Sequence, residues 1–196
     1  MSSLGNSGAA AKPARNHESG LKDLEKMLEE SPSPERVSAK LAQILDVSRT
    51  EVAVLRLEKG SLRFVYPPQL RAAGVIPMSS SAVAARTATT GTSLLSNTFA
   101  RVKHVSLFET VKLGVADNDT PASDQLPIQK IMSVPVSRPE GKVIGVIQVS
   151  RKGLDFSLAG TDFTNKDLKW LEQAAAIVAR MPFMEDGAPL GETLTS

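Results

Sequence analysis

Cysteine is absent from this chain, which rules out disulfides, thiolate nucleophiles, thiolate-bound metals and thioether-linked cofactors. Histidine is nearly absent. His17 and His104 are too few for a His-rich metal centre. His104 with Asp117 or Asp119 comes nearest to a ligand set, but a hydrogen-bonded or exposed histidine is the simpler reading, and no metal site is expected. No apolar run approaches the roughly 20 residues that cross a bilayer. The opening twenty residues lack the apolar core of a secretory signal, so a cytoplasmic location is expected. No G-x-G-x-x-G, phosphate-loop or G-x-S-x-G pattern occurs, and catalysis is not expected.

Charge is sparse in one respect. From Lys59 to Phe108 there is no Asp or Glu, while Lys59, Arg63, Arg71, Arg86, Arg101 and Lys103 are basic. These side chains either converge into a patch for an anion or stand dispersed, balanced by acids elsewhere in the fold. The net charge of +2 gives little support to nucleic-acid binding. Nor do the basic residues concentrate on one recognition helix.

What is present reads as a single domain with tails, long enough to bury roughly 70% of its extended-chain surface. Residues 1–19 read as a disordered tail rich in Gly, Ser and Ala. Over 20–31, Leu21, Leu24, Met27 and Leu28 make one helical stripe, which needs a covering surface from its own domain or from a partner. Ser33-Pro34 caps and starts a second helix with Val37, Leu41, Ile44 and Leu45 inward. VAVLRL from Val52 and LRFVY from Leu62 predict a hairpin turning at Lys59-Gly60. A short strand is expected over 74–78. A helix capped by Ser80 or Ser81 then runs to Thr90, a polar link covers 93–98, and a second helix covers 102–113. Residues 116–125 read as a loop.

The second hairpin carries the clearest strand pattern, Ile131–Val136 and then VIGVIQV from Val143. Pro135 lacks a donor and belongs at a bulge or beside open space. Thr164 with Asp167 is a capping box, and Phe163 can staple to Leu168. The helix that follows buries Leu168, Leu171, Ala175 and Val178, while Trp170, Ala174 and Ile177 widen its apolar surface. Pro182 stops it, and 182–196 reads as a loose tail.

These elements place a small-molecule pocket near the connections over 93–125. Arg101 would hold a carboxylate or phosphate, Asn97 and His104 would orient it, and Phe108 would close an apolar wall. Against this, Asn97 serves equally as a turn residue, Arg101 as a solvated cation and Phe108 as core.

Taken in order, the opening helix, VAVLRLEKGSLRFVY, SSSAVAARTATTGTSLL, SVPVSRPEGKVIGVIQVSRK and FTNKDLKWLEQAAAIVAR resemble a GAF domain over residues 33–181. The resemblance implies an α+β fold: an antiparallel sheet of five or six strands, terminal helices on one face, smaller helices and loops around a ligand cavity on the other. It implies a sensory or regulatory domain for a small molecule, or a dimerisation domain without a ligand. The terminal helices would form a homodimeric bundle through Leu24, Leu28, Trp170, Ala174 and Ile177, and any signal would pass to a separate protein. The cyclic-nucleotide signature is matched at Lys152, Phe163 and Asp167, but Arg151 and Leu168 depart from it. Covalent bilin attachment and methionine-sulfoxide reduction, which use cysteines in such relatives, are disfavoured. No cofactor is assigned.

Overall fold

Two hairpins seed the sheet. In the first, β1 (Val52–Glu58) and β2 (Ser61–Tyr66) meet at Lys59 and Gly60. Both turn residues have positive φ, 45° and 78°, which matches a two-residue turn to the twist of the strands. The second hairpin pairs ten-residue strands, β5 (Ile128–Ser137) and β6 (Val143–Lys152). β1 pairs with β6 and so joins the hairpins. Short strands β3 (Val75–Pro77) and β4 (Leu94–Ser96) close the two edges, giving the antiparallel order β3-β2-β1-β6-β5-β4. The structure is a computed structural model that describes residues 17–30, 32–101 and 126–189.

β4 corrects the expected polar link over 93–98. Leu94, Leu95 and Ser96 pair with Ser133, Met132 and Ile131, too few residues for alternation to show in the sequence. β4 reaches only to the level of Ser133, so among the described residues no strand lies on the outer side of Pro135 to require its missing donor.

Alternation along the central strands divides the interior in two. α1 (His17–Glu29), α2 (Pro34–Leu45) and α4 (Asn165–Val178) cover one face, over Val52, Val54, Met132, Val134, Ile147 and Val149. The opening helices, both hairpins and the final helix share this core. α3 (Val83–Thr90) covers the other face, with Ala84, Ala85 and Ala88 over Leu55, Leu62, Phe64 and Val146. No helix among the described residues is long and apolar enough to cross a membrane.

Side-chain capping accounts for the starts of α2 and α4. Ser33 accepts from the Arg36 N–H, and Thr164 and Asp167 form the reciprocal box, which contributes about 1 kcal/mol. α3 differs from expectation: its N-cap is Ala82, no side chain caps it, and the buried Ser80 hydroxyl has no hydrogen-bond partner. α1 begins at His17 rather than at residue 20. The expected helix over 102–113 and the loop over 116–125 lie outside the described residues.

The expected loose tail is also corrected over 182–189. Pro182–Met184 form a 3-10 turn, Phe183 and Met184 are buried, and Arg56 donates to the carbonyls of Phe183 (2.8 Å) and Ala188 (3.0 Å). Arg56 is only 2% exposed and needs those acceptors, together with the carboxylate of Glu58. Gly145 makes the docking possible, because a Cβ there would run into the Leu55 carbonyl oxygen and the Met184 methyl group. Gly145→Ala is therefore expected to cost about 2 kcal/mol, read as a lower urea midpoint at unchanged slope.

Burial acts to raise the Glu58 carboxyl, but the Arg56 and Arg63 guanidiniums outweigh it and hold it below its ordinary value. A depressed carboxylate stabilises the fold above its unfolded value and loses that contribution as pH falls through the folded one. Glu58→Gln should thus lower the melting temperature at neutral pH. The gap from the parent should close as pH descends through the carboxylate range in circular-dichroism melts.

Candidate functional site

Three polar side chains meet beneath α3. Ser133 of β5 and Gln148 of β6 are cross-strand partners, flanked on the same face by Ile131 and Val146. Thr87 comes down from α3, its hydroxyl 2.8 Å from that of Ser133, and Gln148 Nε2 donates to Ser133 Oγ at 3.3 Å. Ser133 is fully buried, and Thr87 and Gln148 are each 3% exposed. Gln148 Oε1 is buried with no hydrogen-bond partner. A buried amide met at only one end loses the hydration of the other without replacement.

An apolar cluster of Val83, Phe99, Ile128 and Ile131 lies alongside. Phe99 belongs to a 3-10 turn, Phe99–Arg101, after which the chain enters residues 102–125, and Ile128 follows their end. The segment that the sequence marks as a pocket wall thus starts and finishes next to the α3-covered face.

The predicted ligand residues are placed as follows. Asn97 uses both ends of its amide on one residue, donating to the Phe163 carbonyl at 3.0 Å and accepting from the Phe163 N–H at 2.9 Å. It ties the link after β4 to the entry of α4. Arg101 ends the 3-10 turn. Its side chain, and all of His104 and Phe108, lie outside the described residues. Lys152, Phe163 and Asp167 occupy framework positions. The Lys152 N–H donates to Glu51, the Arg151 guanidinium stands 4.7 Å over the Phe163 ring, and Asp167 serves the capping box.

The residues expected at a dimer interface are covered within the single chain. Leu24, Trp170 and Ala174 are at most 2% exposed, Ile177 is buried and Leu28 packs on the same core. α1 provides the cover. Trp170 Nε1 donates to the His17 carbonyl at 2.6 Å, and the His17 and Trp170 rings stack at 5.6 Å. His17 Nε2 also lies 3.3 Å from the buried Asp167 carboxylate. Gly20 lets the helices close, since a Cβ there would sit 2.9 Å from the Ile44 side chain and 3.1 Å from the indole. The outer side of α4 is polar, with Lys166, Lys169, Glu172 and Gln173 exposed.

Sequence reasoning missed Thr87, Ser133 and Gln148. The available signal was a polar residue at an inward position, Ser133 after Met132 and Gln148 between Ile147 and Val149. It also missed three buried cations, all on the face under α1, α2 and α4. Arg56 grips the C-terminal stretch, Arg151 donates to the Leu45 and Asp46 carbonyls at the end of α2, and Lys130 holds the Gly160 carbonyl and Asp162. A surface groove of about 480 Å³ beside α1 and α2 includes Arg36, Lys40 and Arg49. It is remote from the α3 face, and Arg36 and Lys40 are already paired with Glu30 and Asp23. Among the described residues no cluster of His, Asp or Glu could hold a metal.

The GAF domain family matches residues 35–181. No curated protein matches the chain. Among solved structures, the chain is similar to the GAF domain of a phosphoenolpyruvate-protein phosphotransferase from Coxiella burnetii (9% identity, 87% of this chain and 94% of that one, TM-score 0.63). The GAF domain of the corresponding Acinetobacter protein shares 13% identity over 83% and 90% of the two chains, at a TM-score of 0.60. The free methionine-R-sulfoxide reductase of Neisseria meningitidis, solved with its substrate, shares 17% identity over 94% and 98%, at a TM-score of 0.53. At these identities the likeness is one of fold.

A half-met amide opposes stability. Gln148→Met, which keeps the volume and removes the polar group, is expected to stabilise the ligand-free protein by about 1 kcal/mol. A rise of a few degrees in the melting temperature checks it.

Proposed function

The chain belongs to the GAF domain family, and from that premise we propose that it is a noncatalytic regulatory module that binds a small molecule beneath α3 and signals to a separate protein. The observation that carries this reading is the convergence of Thr87, Ser133 and Gln148 in an apolar setting, with one amide end unmet. Asn97, Arg101, His104 and Phe108 are proposed to border the site where the chain enters and crosses 102–125, with Arg101 meeting any anionic part of the ligand.

The sheet supplies the coupling. α3 rests on β5 and β6, and the intervening residues of those strands, Met132, Val134, Ile147 and Val149, form the floor under α1, α2 and α4. A ligand that favours one seating of α3 would shift the packing of the terminal helices by its difference in affinity for the two seatings. The noncatalytic reading draws support from the lack of cysteine, which closes thiol chemistry to this chain although one of its structural relatives is a reductase.

The closed packing of Ser133 favours a second reading, an interaction domain without a ligand. A homodimer through the terminal helices would then require α1 to leave α4 and uncover Leu24, Trp170 and Ala174. The two readings part in solution. A metabolite panel screened by thermal shift and calorimetry should give one compound whose stabilisation approaches about 2.7 kcal/mol at a hundred times its Kd. A panel without a binder, together with a concentration-dependent dimer in sedimentation, would support the interaction domain instead.

A further inference from the structure

The hydrogen-bond inventory beneath α3 is incomplete in a way that specifies what would complete it. Gln148 Oε1 is an acceptor with no donor, and Nε2 has turned one proton to Ser133. The hydroxyls of Thr87 and Ser133 carry two protons between them, and one lies in their 2.8 Å contact. The other is left for an acceptor. One buried spot therefore presents an unmet acceptor beside an available hydroxyl proton. Turning the Gln148 amide end for end exchanges these roles but still leaves one end unmet.

Charge narrows the complement further. The buried charged side chains among the described residues are Arg56, Lys130, Arg151 and Asp167. All four belong to the face under α1, α2 and α4, and each is bonded there. On the α3 face the buried polar groups are neutral. A carboxylate seated there would leave its own charge desolvated, and with the Gln148 amide as placed would also set oxygen against oxygen.

We infer that the edge of the ligand seated against Thr87, Ser133 and Gln148 is a neutral amide-like group, an N–H beside a C=O, as in a carboxamide, a lactam or a pyrimidine. The N–H meets Gln148 Oε1, and the carbonyl takes the hydroxyl proton of the Thr87–Ser133 pair. Entry is by displacement of α3. The face it presents to the sheet is mostly alanine, and no side-chain cap anchors its first turn.

This inference rests on the reading of the α3 face as a ligand site, and its test separates the two. Isotope-labelled full-length protein is titrated with two matched pairs of probes, acetamide against acetate and nicotinamide against nicotinate. The readout is the side-chain amide resonance of Gln148, identified by its loss in Gln148→Met. Both amides should shift that resonance saturably and bind at least about tenfold more tightly than the matching acids. Followed through neighbouring backbone resonances, the preference should vanish in Gln148→Met, weaken in Ser133→Ala and persist in Arg101→Ala. Acids that bind as well as the amides, or binding lost in Arg101→Ala alone, would overturn the neutral edge and leave a ligand site standing. Silence from all four probes would overturn the amide inference, while the ligand site itself is judged by the metabolite panel.

Discussion

A sheet covered on both faces gives its inward polar groups no access to water, and every such group must find its partner inside the protein. The two faces meet that constraint in opposite ways. Under α1, α2 and α4 the inward polar residues of the strands are cations, each bonded to groups from a segment remote in sequence, although the buried Ser38 hydroxyl of α2 has no hydrogen-bond partner there. Arg56 holds the C-terminal stretch, Arg151 the end of α2, and Lys130 the loop before α4. Removing one of these cations would leave backbone carbonyls unmet, so the three act as fasteners for the chain crossings rather than as reactive groups. Under α3 the polar trio is neutral and close together, and one end of the Gln148 amide is unmet. That asymmetry separates the fastened face from the one proposed to receive a ligand.

How much of this could be read beforehand follows from how far apart the interacting residues lie. The capping box was legible because Thr164 and Asp167 are three residues apart, and the first hairpin because its turn consists of two. The buried cations were not, since Arg56 meets Phe183 across 127 positions and Arg151 meets Leu45 across 106. β4 escaped notice because three residues cannot display a period of two. The stretch from Pro182 looked loose because its anchors, Arg56 and Gly145, belong to strands far upstream.

The candidate site was legible only in outline. Resemblance pointed to the side of the sheet away from the terminal helices, and there the polar trio is found. It could not single out Ser133 and Gln148, whose pairing depends on the register of β5 against β6. Asn97 was marked as a ligand contact from its position in a polar link, whereas its amide spends both ends on the Phe163 backbone. The apolar stripe of α4 was legible as a surface in need of cover. Whether the cover came from the same chain or another was open, because an amphipathic helix records that it is covered and not by whom.

The seat of α1 has a practical consequence. Trp170 is the sole tryptophan of the chain, and its ring is sandwiched where the first helix docks, with the indole N–H bound to the His17 carbonyl and the imidazole stacked upon it. Native tryptophan emission therefore comes from one spot at the joint between first and last helices. Detachment of that helix would wet the indole and shift its colour to the red, so the protein carries an optical gauge of its own terminal packing and needs no added label.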